Sequence, residues 1–262
     1  MDINQQWSIL WPKSISNELL EKCILMQLQQ NSSQILISNR QPKKFYSRFI
    51  AEKSDFCQNT YLEVNLEKSL LDKNYRLEMQ DKLCFLAEEY TGNHSHIIHW
   101  EFNTTIIPKI KNDFSRHLMD ILVFFQERFI SKIKSISVFI NAPNFELKNT
   151  LDFLRTSDSH PFFGLSYYPY YCEKQSYDTL KTSFLWKPWT HTVLLTDVGF
   201  DLKTEVVPGE GITFNKSACQ IALENKKMIT FIFKPLTLTF VKESKIEEFL
   251  WKSEDFIRKL LL

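Results

Sequence analysis

The sequence predicts an α+β fold of two pseudo-repeated units, each with the order strand, helix, antiparallel sheet and long helix. Strand-like segments follow one another without helical patterns between them, and strands connected in this way pair antiparallel. The same order returns in the second half: Ser8 and Ser137 are 129 positions apart, and Ile97 and Met228 are 131 apart. We therefore expect a first unit at 1–134 and a second at 135–262, packed together as one compact body.

The first unit begins with a short strand at 8–12 and an apolar-striped helix at 14–28. Short alternating or β-branched segments then predict five strands, at 33–39, 45–52, 60–67, 81–89 and 96–102. A long amphipathic helix follows at 107–133, because apolar residues recur there at steps of three or four. Its stripe includes Ile121 and Phe125, which we expect to be buried against a sheet.

The second unit repeats this order. It starts with a β-branched strand at 135–141 and a helix at 144–155. The next strands are predicted at 163–170, 179–186, 191–200, 218–224 and 228–233. The final helix, 244–261, opens with Ser244 and Glu247 in the spacing of a capping box.

Composition excludes several function classes. Lys and Arg total 32 against 31 Asp and Glu, so the net charge of +1 gives no global sign of nucleic-acid binding. The chain has five glycines in 262 residues. Phosphate-cradling loops need several glycines close together, and only the pair in "PGEG" at 208–211 comes near this. We expect no nucleotide cofactor and no other cofactor.

The cysteines and the apolar segments indicate an intracellular protein, cytoplasmic or nuclear. The five cysteines are scattered and never spaced as CxxC, which is typical of reduced thiols packed in a core. No apolar run approaches the roughly 20 residues of a membrane span. We expect no membrane partner.

Histidines cluster in "NHSHIIHWEF" at 93–102, and the question is whether they hold a metal. On a strand, His94 and His96 share one face while His99 points to the other. At most two could reach one ion, with Glu101 beside His99 as a candidate third ligand, whereas zinc takes three or four. We predict no metal site and, because GxSxG and HExxH are absent, no recognisable catalytic residue.

An aromatic-rich segment at 160–189 carries ten Phe, Tyr and Trp side chains, and these could pack in the core, anchor a protein partner or stack on single-stranded nucleic acid. Because a strand alternates, one of Tyr167 and Tyr168 should face the core and the other should face outward. The partner-binding candidates here are Tyr168, Tyr171, Trp186 and Trp189.

A local basic cluster in "NRQPKKFYSRF" supplies three further candidates, Arg40, Lys43 and Lys44. Such a cluster is ordinarily a solvated turn, and phosphate contact is its functional interpretation.

Together these patterns predict a non-catalytic scaffold or adaptor subunit of a protein complex, which binds a protein partner through an aromatic-rich surface. The alternative is a nucleic-acid-binding protein that uses the concave sheet of a duplicated fold with the basic turn. A metal- or histidine-dependent enzyme is the third hypothesis, so catalysis is left open while the absence of motifs weighs against it.

Overall fold

The computed structural model describes residues 6–30, 33–91, 97–104, 111–141, 155–156, 162–176, 178–212, 224, 229–235 and 243–261. The chain divides into two compact units. We call residues 37–164 the middle unit, and residues 1–36 with 165–262 the terminal unit. The predicted halves 1–134 and 135–262 are a different division and stay a prediction.

Strands and helices alternate along the chain. In chain order the elements are β1 (Trp7–Ile9), α1 (Asn17–Gln27), β2 (Leu36–Ser38), α2 (Lys43–Glu52), β3 (Asn59–Leu66), α3 (Lys73–Tyr90), β4 (Ile97–Thr104), α4 (Lys111–Phe129), β5 (Ser135–Asn141), β6 (Phe163–Tyr167), α5 (Pro169–Lys174), α6 (Thr179–Trp186), β7 (Thr190–Leu195), β8 (Thr230–Phe233) and α7 (Glu243–Leu261).

The strands pair parallel. In the middle unit β3, β4 and β5 lie side by side in register, so that Glu63 is opposite Glu101 and Glu101 is opposite Phe139. In the terminal unit the order is β6, β7, β8, β1, again with parallel pairs. The carboxyl ends of neighbouring strands therefore meet at the same edge.

The predicted α+β class with antiparallel sheets is wrong. Three segments expected to be strands, 45–52, 81–89 and 179–186, lie in helices α2, α3 and α6. A helix between two strands carries the chain back to the starting edge, so the next strand pairs parallel rather than antiparallel. The fold is α/β.

Helix α3 has the features of a helix, but one exposed apolar residue obscures its helical pattern in the sequence. Its N-terminus is capped by Asp72, whose carboxylate accepts from the backbone N–H groups of Asn74 and Tyr75. The buried side chains recur at helical spacing: Tyr75, Met79, Leu83, Cys84, Ala87 and Tyr90. Phe85, however, is 63% exposed, and it turns the local sequence into an apolar run that resembles a strand.

The helices cover an apolar sheet face in the middle unit. Trp100 of β4 meets Phe125 of α4 edge to face, with ring centroids 5.3 Å apart, and Phe125 stacks on Phe129. Ile121 and Phe125 are both fully buried, as the sequence predicts. The helix ends at Phe129, before the predicted end at 133, and the predicted start at 107–110 lies outside the described residues.

Two predicted elements cannot be compared. The helix at 144–155 and the strand at 218–224 lie outside the described residues, apart from residues 155 and 224. Across the described part of the chain, no helix combines the length and the apolar character that crossing a membrane requires.

Replacing Phe125 with Ala is expected to lower the free energy of unfolding by about 3–5 kcal/mol, because it leaves a cavity under Trp100. Its neighbour Phe124 is 39% exposed, so Phe124→Ala is the matched control and should cost under about 1 kcal/mol. Denaturant unfolding of the two variants makes the comparison. Equal losses would show that α4 does not dock through this face.

Candidate functional site

One face of the middle-unit sheet is polar. Alternate residues of β3, β4 and β5 point away from the face that carries Trp100, and most of them are hydrophilic. We call them the polar face: Asn59, Tyr61, Glu63, Asn65, His99, Glu101, Asn103, Ser135, Ser137 and Asn141. A parallel sheet between helices ordinarily reads as an apolar run, so this departure marks the face as a candidate site.

Exposure of the polar face increases toward the carboxyl ends of its strands. Along β3, Asn59 and Tyr61 are buried, Glu63 is half-buried and Asn65 is exposed. On β4, Glu101 is buried and Asn103 half-buried. Solvent therefore meets this face at the carboxyl edge.

Glu101 is the most deeply placed carboxylate described on this face, with 2% of its surface exposed. The Tyr61 hydroxyl donates to Glu101 Oε2 at 2.6 Å, and Asn141 Nδ2 donates to Glu101 Oε1 at 3.3 Å. Burial, followed by the charge of Glu101, holds the pKa of Tyr61 well above its usual range. Tyr61 therefore keeps its proton and donates it to the carboxylate as a hydrogen bond.

Glu63 has a different environment. Arg40 Nε donates to Glu63 Oε1 at 2.7 Å, and a second guanidinium nitrogen pairs with the same oxygen. Asn39 fixes the backbone of Glu63 by accepting its N–H and donating to its carbonyl oxygen. A charge-assisted pair of this kind neutralises the carboxylate.

His99 lies deeper on the polar face and is fully buried. Its Nε2 is 3.4 Å from Asn59 Oδ1, and its ring stacks on that of Tyr61. His94 and His96 lie outside the described residues. The described part of the cluster therefore places one histidine within a hydrogen-bonded layer beneath Glu101.

The terminal unit has its own polar cluster at the carboxyl ends of β6, β7 and β8. The Tyr168 and Thr196 hydroxyls are 2.8 Å apart, and Thr196 Oγ1 donates to the carbonyl oxygen of Lys234. Because the Thr196 hydroxyl donates its hydrogen to that carbonyl, the Tyr168 hydroxyl is the donor in the bond with Thr196. The Lys234 ammonium lies 5.4 Å from the centre of the Tyr168 ring.

Asp197, next to this cluster, organises the loop after β7. Its Oδ2 accepts from the backbone N–H groups of Gly209 and Gly211 at 2.9 and 2.8 Å. A Cβ on Gly211 would overlap Asp197 Oδ1 and the carbonyl oxygen of Val198, so only glycine fits there. Here the "PGEG" motif is a loop anchored by a carboxylate.

The partner-binding candidates differ in exposure. In the terminal unit Tyr168, Tyr171 and Trp186 are buried, and Trp189 is half-buried. Tyr167 packs its ring on Trp186, while Tyr168 lies on the opposite face with Lys234, so the two tyrosines do alternate but both are buried.

In the middle unit Arg40 is half-buried against Glu63, while Lys43 and Lys44 are exposed at the start of α2. Partner binding at any of these seven residues, in either unit, stays a prediction.

Comparison with solved structures shows the fold. The alignment with an L-ribulose 3-epimerase covers 98% of this chain and 94% of that one, with a TM-score of 0.71 at 11% identity. The alignment with the IOLI protein, solved with a zinc atom, covers 98% of this chain and 98% of that one, with a TM-score of 0.70 at 10% identity. A sugar phosphate isomerase/epimerase from Parabacteroides distasonis gives a TM-score of 0.65 at 11% identity, over 97% of this chain and 94% of that one.

The fold is a TIM barrel. No protein-family model and no curated protein matches the sequence. The prediction of a scaffold subunit, and the alternative of a nucleic-acid-binding protein, are contradicted, because the fold is a parallel α/β fold and the similar structures include sugar isomerases and epimerases. TIM-barrel enzymes place their active sites at the carboxyl ends of the strands, the edge at which the polar face opens.

The zinc atom in one similar structure raises the question of whether the residues here could hold a metal ion. Within the described ranges, no group of three or more His, Cys, Asp or Glu side chains could do so. In the middle unit, Glu63 is neutralised by Arg40 and His99 faces Asn59. These described donors do not fit a zinc ion, which takes three or four ligands.

Sequence reasoning missed most of the polar face. It named Glu101 only as a possible partner of His99, and it passed over Tyr61, Glu63, Asn103 and Asn141. A signal was present: Tyr61-x-Glu63-x-Asn65 returns as His99-x-Glu101-x-Asn103 at an offset of 38 residues. Polar residues at alternate positions in otherwise apolar strands identify a common face.

Replacing Gly211 with Ala is expected to lower the free energy of unfolding by about 1–3 kcal/mol, because the new methyl group forces Asp197 and the Val198 carbonyl apart. Gly199→Ala, in the same loop, is the control, since a Cβ there meets nothing closer than 3.6 Å. Thermal unfolding compares them. If Gly211→Ala matches the control, the carboxylate anchor is not formed.

Asp201 offers a test of the same loop by pH. The Thr204 hydroxyl, followed by the backbone N–H groups of Thr204 and Lys203, lowers the pKa of Asp201 to about 2. A depressed pKa stabilises the folded loop above pH 3.8, and this contribution is lost as the pH falls toward 2. Carboxyl NMR titration should give a pKa near 2, with Thr204→Val raising it. Titration near 3.8 in the unmodified protein would contradict the loop structure.

Proposed function

We propose that this protein is an enzyme that moves a proton at a carbon next to a carbonyl group in a small polyhydroxylated substrate, as in the isomerisation of a sugar. The observation that carries the proposal is Glu101, a buried carboxylate held by Tyr61 and Asn141 at the carboxyl edge of the sheet. Sugar isomerases and epimerases among the similar structures support the substrate class.

Glu101 acts as the general base. The Tyr61 hydroxyl, which keeps its proton, donates to one carboxylate oxygen and the Asn141 amide donates to the other, so the carboxylate is held in a defined orientation. We do not assign this role to Glu63, because the Arg40 guanidinium already pairs with its Oε1. General-base catalysis requires a group within hydrogen-bond reach of the proton it removes.

The proton transfer proceeds through an enediolate. Glu101 takes the proton from the substrate carbon, and the electron pair of that C–H bond forms a double bond while the carbonyl electrons move onto oxygen. Asn141 Nδ2 donates at 2.8 Å to Asn103 Oδ1, which turns the amide N–H groups of Asn103 away from Asn141. In that orientation they can donate to the developing oxyanion.

The same group then returns the proton. Delivery to the neighbouring carbon on the same face interconverts an aldose and a ketose when the proton of the substrate hydroxyl also moves to the oxygen of the former carbonyl. Epimerisation needs a second acid on the opposite face of the substrate. Tyr61 and Asn141 hold a single carboxylate, Glu101, at this place, so we assign isomerisation rather than epimerisation to it.

An intracellular location belongs to the same proposal. Cys23, Cys57, Cys84 and Cys172 are buried free thiols. Burial raises the pKa of Cys57 and of Cys172 to about 12, so both remain protonated thiols in the core. Free core thiols are typical of proteins from a reducing compartment.

The proposal is tested by incubating the protein in D₂O with aldoses, ketoses and their phosphates, and following deuterium incorporation by NMR. We expect deuterium at the carbon next to the carbonyl, together with the isomeric sugar. Glu101→Gln keeps the side-chain shape and removes the base, so it should slow exchange at least about 100-fold.

Glu88→Gln is the control variant. Glu88 is an exposed carboxylate that pairs with Arg128 at 3.0 Å and does not belong to the polar face. Its substitution should leave deuterium exchange unaltered. Melting temperatures establish that both variants fold. Exchange in Glu101→Gln as fast as in the unmodified protein, or no exchange with any sugar tried, would show that this function is wrong.

A further inference from the structure

We infer that the terminal unit contains an oxyanion-binding site built around Lys234, Tyr168 and Thr196, which takes the phosphate or carboxylate group of a small molecule. Lys234 directly follows β8, Thr196 follows β7 and Tyr168 follows β6, so one residue comes from the carboxyl end of each of three neighbouring parallel strands. The inference holds whether or not Glu101 catalyses proton transfer.

Both backbone polar groups of Lys234 are hydrogen-bonded. Its backbone N–H donates to the carbonyl oxygen of Leu195 at 2.7 Å, and its own carbonyl accepts from Thr196 Oγ1. The ammonium lies over the Tyr168 ring, whose hydroxyl is in turn tied to Thr196. Position and direction of the cation are therefore fixed before any ligand arrives.

Burial makes this cation effective. Lys234 is 8% exposed and Tyr168 is 4% exposed, so an anion that reaches the ammonium meets it in surroundings of low dielectric. The electron-rich face of the Tyr168 ring, 5.4 Å from the lysine nitrogen, offsets part of the cost of burying an ammonium. A fixed and desolvated cation binds an oxyanion more tightly than a flexible surface lysine does.

On the same face of the strands, Leu194 of β7 and Ile232 of β8 lie between the lysine cluster and the buried Thr192 and Thr230. The lysine therefore has an apolar layer beneath it, and an oxyanion meets it from the carboxyl edge. TIM-barrel proteins frequently bind phosphate in the loops after the seventh and eighth strands, the same two strand ends.

The chain offers a matched control for the lysine. In α5 of the same unit, Lys174 lies 6.0 Å from the Tyr170 ring centre, but its side chain is exposed. Lys174→Met removes a lysine–tyrosine pair of similar geometry without the burial or the clamped backbone. If any lysine over a tyrosine bound anions, the two variants would behave alike.

The experiment is isothermal titration of the full chain with inorganic phosphate, ribose 5-phosphate, ribonate and ribose. We expect saturable binding of at least one oxyanion and none of ribose at the same concentration, with affinity falling as salt is raised. Preference between ribose 5-phosphate and ribonate identifies whether the group is a phosphate or a carboxylate.

Lys234→Met should weaken this binding at least tenfold, while Lys174→Met leaves it unchanged. If Lys234→Met does not fold, Lys234→Gln keeps a polar end without the charge and should show the same loss. No saturable binding of any of the three anions, or equal binding by a folded Lys234 variant, overturns the inference. Binding is measured without turnover, so this result and the deuterium-exchange result can fail separately.

Discussion

In-register parallel pairing of β3, β4 and β5 is the constraint on which the arrangement of the polar face depends. Equal spacing along the chain, 38 residues from Asn65 to Asn103 and again to Asn141, becomes direct adjacency in space because each strand begins at the same level as its neighbour. A shift by one residue would move Glu101 to the face occupied by Trp100, where a carboxylate would meet only apolar groups. Register thus decides whether these side chains form a site at all.

Burying the carboxylate of Glu101 is the main energetic cost that this register imposes. An ionised group taken out of water is destabilising unless hydrogen bonds replace its hydration, and Tyr61 and Asn141 supply two of these. Glu63, one strand away, has the guanidinium of Arg40 instead. Two carboxylates opposite each other in neighbouring strands therefore lie in different surroundings: Tyr61 and Asn141 donate to Glu101, and Arg40 pairs with Glu63.

Much of the element content could be predicted from the sequence, but its topology could not. Strands β3, β4 and β5 and helices α1 and α4 follow alternation and helical periodicity closely enough to be recognised. Helices α3 and α6 do not, because exposed apolar residues such as Phe85 and Phe184, and buried polar ones such as Thr182, blur the apolar stripe. If these helices are interpreted as strands, consecutive strands must pair antiparallel, and the parallel fold is not predicted. The site was missed for a related reason: its residues come from separate strands, and only the fold makes them neighbours.

The polar layers also bear on how stability varies with temperature. Exposing apolar surface on unfolding raises the heat capacity by about 0.45 cal/K/mol per Å², whereas exposing polar surface lowers it by about 0.26. Asn59, His99 and Ser137 are fully buried where such a sheet ordinarily buries aliphatic side chains. Their exposure on unfolding subtracts from the heat-capacity change that Trp100, Phe125 and the helix-covered face contribute. A smaller heat-capacity change flattens the curve of stability against temperature, so hydrogen-bonded layers widen the range over which this sheet stays folded.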